Sequence, residues 1–267
     1  MNIRCLKSCL LTGKLFFSAV VLGSSMAAFS AQHDLSDTPL FTLAGVEPNI
    51  VLTMDDSGSM AWSFMPTSVG DYPSTKRAKS AAFNKIYYDP TVLYEPPVDE
   101  DGNSLGNASF TAAWDNGFDK SGSGSCTKNL STSYRPSWGG INQTHCGSSD
   151  YSDGFYNRYA SSSSEPAYYY LFDSSLSDCN GNASDDDCYK KVVVSDTSGV
   201  GDTVDERENF ANWYSYYRKR VYVTKTAATL AFERFNSNIR VGYQRINNNT
   251  LTGVQAFSGT RRSNFFD

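Results

Sequence analysis

Asp55, Ser57 and Ser59, in the run Asp55-Asp56-Ser57-Gly58-Ser59-Met60, are the residues of this chain best placed to do chemistry. One carboxylate and two hydroxyls at alternate positions are hard oxygen donors. They suit Mg²⁺, Mn²⁺ or Ca²⁺ and suit zinc poorly. Gly58 lets the backbone turn tightly enough for both serines to face one point. Three donors fill only part of an octahedral shell, so the expected divalent-metal site is incomplete and weak by itself. The plain alternative is a serine-rich surface turn. A metal-dependent phosphotransferase is the catalytic alternative, because such enzymes carry a nucleophilic aspartate at a strand end and a second acid two residues on. Ser57 stands at that second position and cannot move the proton, so the pattern reads as a binding site rather than an enzyme's.

Such a loop needs a strand behind it. The stretch 48–54 is a short apolar run with β-branched residues that ends abruptly in acid, hydroxyl and glycine, the signature of a buried strand running out into a loop. In open α/β sheets, ligands bind beyond the carboxyl ends of strands. Further along, residues 75–85 have helical composition behind a possible cap at Ser74, with Ala78, Ala81, Ala82 and Ile86 roughly on one face. Pro90 ends that segment, and 87–97 reads as extended. From 98 to about 206, serine, glycine, asparagine and aspartate dominate between scattered aromatics. A structureless loop of that length does not fit a compact domain. The stretch therefore reads as an ordered insertion with short strands near 167–172 and 191–195.

The clearest helix is predicted over 206–235, where Phe210, Trp213, Tyr217, Val221, Thr224, Ala228, Ala231 and Phe235 recur at three- and four-residue steps. Arg218, Lys219, Arg220 and Lys225 are read as its solvated face. Residues 239–246 form a strand, Asn247-Asn248-Asn249 a turn, and 251–257 a third strand. Strand, helix, strand in this order predicts an α/β fold with a parallel sheet and right-handed crossovers.

With 267 residues and 40% of them apolar, the chain can build a real core. A net charge of −5 without a basic cluster argues against nucleic acid as a partner. The two histidines, His33 and His145, leave little room for histidine catalysis or zinc. Arg4, Lys7 and Lys14 precede the apolar stretch 15–22 and the small residues 25–28, which reads as a secretory signal over 1–28. Its apolar core is too short for a stable membrane span. A polar lead-in follows over 29–47. Export turns the four remaining cysteines, Cys126, Cys146, Cys179 and Cys188, into two expected disulfides. Neighbour pairing, Cys126 with Cys146 and Cys179 with Cys188, is the expectation. Two acidic clusters offer weaker metal readings. The one at 99–103 is better read as a turn, and the one at 178–187 as a solvated disulfide loop.

The Asp-x-Ser-x-Ser spacing at Asp55, Ser57 and Ser59 resembles the metal-ion-dependent adhesion site of von Willebrand factor A-like domains. The resemblance implies that the serine hydroxyls bind the ion, that Asp55 acts through water, and that a partner's carboxylate takes an open position. Together with the Tyr-Asp-Pro…Tyr-x-Pro-Pro arrangement in 87–97 and the run 108–114, the sequence resembles PilC/PilY-type factors of type IV pili. That implies a partial A-like domain over 48–267 with an insertion at about 61–205, and a location in the periplasm, at the outer membrane surface or at the pilus tip. Minor pilins and a host surface or extracellular protein are the implied partners. The family's C-terminal propeller is not expected within these residues. The later threonine and aspartate loops of the metal site do not appear before Asp267, so a partial gene product is expected.

Overall fold

The apolar run after Pro48 forms strand β1 (Asn49–Met54), which lies at one edge of a three-stranded sheet. The computed structural model describes residues 47–72, 74–120, 127–136, 165–198, 205–247 and 251–266. The signal and most of the lead-in, together with Cys126, Cys146 and His145, lie outside the described residues.

β1 runs parallel to β6 (Arg240–Arg245), in register from Asn49 opposite Arg240 to Met54 opposite Arg245. β7 (Leu251–Ala256) then returns antiparallel, so the wholly parallel sheet expected from the sequence is corrected to a mixed one. A short turn after Arg245 can make only an antiparallel partner, because a parallel return needs a long crossover. Ile50 packs on the core of Phe232, Ile239, Val241 and Phe257, while Val51, next along β1, is 51% exposed.

The predicted helix over 206–235 is two helices, α1 (Glu206–Tyr216) and α2 (Arg220–Phe232). The apolar period continues across the break, but buried polar contacts interrupt the backbone. Gly117 N–H donates to Ser215 O, the Thr226 hydroxyl to Tyr216 O, and the Arg218 guanidinium to Tyr214 O. These donors satisfy carbonyls that a continuous helix would have used internally. Gly117 is required at this contact, since a Cβ there would lie 2.2 Å from the Tyr216 ring. Arg218 and Lys219 are 5% and 4% exposed, and Arg220 and Lys225 are half-buried, so these cations are not a solvated face.

Residues 75–85 are likewise not an α-helix. They hold one short 3₁₀ turn, Arg77–Lys79, followed by further turns. The Lys76 and Arg77 N–H groups donate to the Asp186 carboxylate. The fully buried Asn84 side chain binds Met65 N–H, Ser63 O and Ala78 O. Side chains that capture the backbone in this way compete directly with helix formation.

The insertion, where described, is ordered. Strands β2 (Ala113–Trp114) and β3 (Thr127–Lys128) pair antiparallel, as do β4 (Tyr168–Phe172) and β5 (Tyr189–Val193). The main core lies between this insertion and α1, and it is built from aromatics such as Tyr88, Tyr134, Tyr169 and Phe210. α1 is buried almost all round, so it meets the insertion through polar side chains as well. Asn209 accepts from Tyr94 N–H at 2.8 Å and donates to Val92 O at 2.8 Å. Trp213 Nε1 donates to Ile86 O at 3.0 Å. Cys179 is bonded to Cys188, as neighbour pairing predicts. A final helix, α3 (Gly259–Phe266), follows β7.

Candidate functional site

β1 delivers Asp55 to an exposed position one residue past its end. The chain then enters a 3₁₀ turn over Gly58–Ala61, with Ser57 extended before it. Gly58 is not one of the described positive-φ glycines, so the turn comes from 3₁₀ geometry and not from left-handed backbone. Ser57 N–H donates to Asp55 Oδ1 at 2.8 Å, and the Ser57 and Ser59 hydroxyl oxygens stand 2.9 Å apart. The three residues named from the sequence are thus brought together. The Ser57 amide and hydroxyl, and more weakly Arg220, hold the Asp55 carboxyl below the usual carboxylate range. It is ionised at neutral pH and open to solvent.

This arrangement fits a hard divalent ion. Two neighbouring ligands of an octahedral ion, each at about 2.1 Å, stand about 3 Å apart, close to the spacing of the two hydroxyls. Asp55, Ser57 and Ser59 would hold it, with water completing the shell. Among the described residues no group of three His, Cys, Asp or Glu side chains could hold a metal, so the hydroxyls are essential to any such site.

Two residues that sequence reasoning missed fix this loop. Asp56 accepts from Asn247 N–H at 2.8 Å, and Arg245 Nε lies 3.9 Å from its other oxygen. The neighbouring carboxylates thus divide the work, since Asp56 ties the loop to the end of β6 and Asp55 faces outward. Arg220, at the start of α2, secures the other side. Its backbone N–H donates to Trp62 O at 3.1 Å, its Nε to Phe64 O at 2.8 Å, and its guanidinium lies 5.0 Å from the Trp62 ring centre. No local pattern marks Arg220, because its partners lie far earlier in the chain.

The weaker acidic clusters are spent on structure. Asp99 accepts from Asp101 and Asn103 N–H groups and closes a turn through Gly102 at φ +81°. In the disulfide loop, Asp185 accepts from Asn180 and Asp187 N–H groups. Asp186 caps the Lys76-Arg77 backbone, and Asp187 pairs with Lys76 at 3.4 Å. No helix among the described residues is long and apolar enough to cross a membrane.

No described family of domains matches the chain, and neither does any solved structure. Named relatives do match. The chain is 35% identical over 274 aligned residues to the type IV pilus biogenesis factor PilY1 of Pseudomonas aeruginosa PAO1, and 33% identical over 268 to that of strain PAK. Each match covers 94% of this chain but 21% of the relative, so the chain spans about a fifth of their length. Over nearly its whole length the chain is thus similar to about a fifth of the type IV pilus biogenesis factor PilY1.

Proposed function

We propose that this chain is an exported, non-enzymatic component of a type IV pilus system that binds partners through a divalent metal at Asp55, Ser57 and Ser59. The observation carrying this reading is the strand-end loop in which an ionised, exposed carboxylate lies beside two converging hydroxyls. The mixed sheet, with β1 parallel to β6 and the loop at its carboxyl end, supports an incomplete von Willebrand factor A-like domain. The PilY1 relatives support a role in pilus assembly or adhesion, with minor pilins and a host surface or extracellular protein as partners. The metal would supply a Lewis-acidic position for a partner's carboxylate, and the chain's own residues orient it.

Calorimetric titration with Mn²⁺ and Mg²⁺ tests the site. Three protein donors predict weak binding, on the order of millimolar. Asp55→Ala should abolish it with at most a small fall in melting temperature, because Asp55 is exposed and gives up one hydrogen bond from Ser57 N–H. A longer polypeptide supplying a threonine and a second aspartate should bind much more tightly. Unchanged heats in Asp55→Ala would favour a surface protein with no working metal site. Equal affinity in the long and short forms would refute the incomplete shell.

A further inference from the structure

A cavity of about 260 Å³ lies between α2, the β6–β7 face and α3. Phe118, Phe257 and Phe265 contribute to its largely apolar wall, and Met54 reaches it from the end of β1. Its charged lining is one-sided. Lys225 of α2 and Arg261 of α3 contribute, and among the described residues no acidic one does. Arg261 donates through Nη2 to Gly253 O, yet its Nε is buried with no hydrogen-bond partner. Folded proteins rarely leave a buried charged donor in that state, because its desolvation goes uncompensated. The chain carries a net charge of −5, so an anion would be drawn here by local cations and not by the overall field.

We propose that this cavity is a binding site for a small amphipathic carboxylic acid. The apolar body lies among the phenylalanines, and the carboxylate accepts from Arg261, with Lys225 adding positive charge. The volume falls below the roughly 300–1,000 Å³ of sites for drug-sized ligands. It therefore suits a medium-chain or single-ring acid and not a long lipid tail. This site is independent of the metal reading, since none of its lining residues is a proposed metal donor.

Titration of the chain with octanoate, octanol, octylammonium and palmitate, followed by calorimetry, tests the assignment. Octanoate should bind saturably, octanol and octylammonium at least about tenfold more weakly, as loss of a charge-assisted hydrogen bond implies, and palmitate more weakly because its chain exceeds the cavity. Arg261→Gln should weaken octanoate about ten- to hundredfold. Ala228→Phe, which fills the cavity without touching charge, should exclude octanoate altogether. If Arg261→Gln fails to fold, Ala228→Phe and Arg261→Lys decide. Octanol binding as well as octanoate, octanoate unaffected by these substitutions, or no saturable binding would each overturn the proposal.

Discussion

The break between α1 and α2 rests on a buried ion pair, and its worth can be measured. Arg218 Nη2 meets Asp115 Oδ1 at 2.6 Å, with the two side chains 5% and 11% exposed. The same oxygen accepts from the Tyr214 hydroxyl at 3.0 Å, and the Asp115 carbonyl from the Tyr222 hydroxyl at 3.2 Å. Asp115→Leu leaves the guanidinium buried without the carboxylate that faces it, a change that costs about 3–5 kcal/mol. Against a total stability of about 5–15 kcal/mol this is a large fraction. At about 2–4 °C per kcal/mol for a chain of this size, the melting temperature should fall by about 6–20 °C. Arg218→Met should cost a comparable amount by stranding Asp115. Replacing both should cost far less than the sum, because an apolar pair of similar volume does not require desolvating two charges. Urea unfolding followed by tryptophan fluorescence measures the whole cycle, since Trp213 is buried in the adjoining core. A loss below about 1 kcal/mol for Asp115→Leu, or strict additivity of the two substitutions, would refute the claim that this pair holds the break.

Two further outcomes follow from the same region. Arg220→Ala removes a charge-assisted hydrogen bond to Phe64 O and a cation–π contact with Trp62, so it should cost about 2–3 kcal/mol in urea unfolding; it should also weaken Mn²⁺ binding, and a change in stability alone would show that the clamp does not organise the loop. Burial, reinforced by Arg218, pulls the Lys219 ammonium down to about 7, whereas in the unfolded chain it titrates near about 10.4. Between those values the unfolded chain binds more protons, so stability should rise with pH from about 7 to 9, by up to about 1.4 kcal/mol per unit. Above about 10 the buried tyrosines, whose hydroxyls are pushed up, should reverse the trend. Lys219→Met should flatten the rise, and an unchanged slope in unfolding curves at pH 7, 8 and 9 would remove Lys219 as its source.

What could be read from the sequence was what is encoded locally. The switch from apolar β-branched residues to acid and hydroxyl placed β1 and its loop, and the order strand, helix, strand placed β6 beside β1. The period through Phe210, Trp213 and Tyr217 located α1 correctly but also ran straight through the break. The break depends on Asp115, 103 residues before Arg218, and a hydrophobic period carries no sign of that partner. Residues 75–85 misled because the Asn84 side chain takes the Ala78 carbonyl, which a continuing helix would have bonded internally, and ties it to Ser63 and Met65 much earlier in the chain. The convergence of Asp55, Ser57 and Ser59 was legible because three residues within five positions cannot stray far apart.

The loop's supports were not legible, yet their placement says how the site is prepared. Asp56 is fixed by Asn247, just after β6, and Arg220 holds residues 62–67 from the start of α2. Both anchors belong to the strand–helix–strand unit that β1 begins, at the two ends of its return path. Within the loop so framed, the Ser57 and Ser59 hydroxyls hydrogen-bond to each other at 2.9 Å. A loop gathered by the fold spends little of a metal's binding energy on ordering the chain. Its affinity is then set by the number of donors, and additional ligands should tighten binding without rearranging Asp55, Ser57 or Ser59.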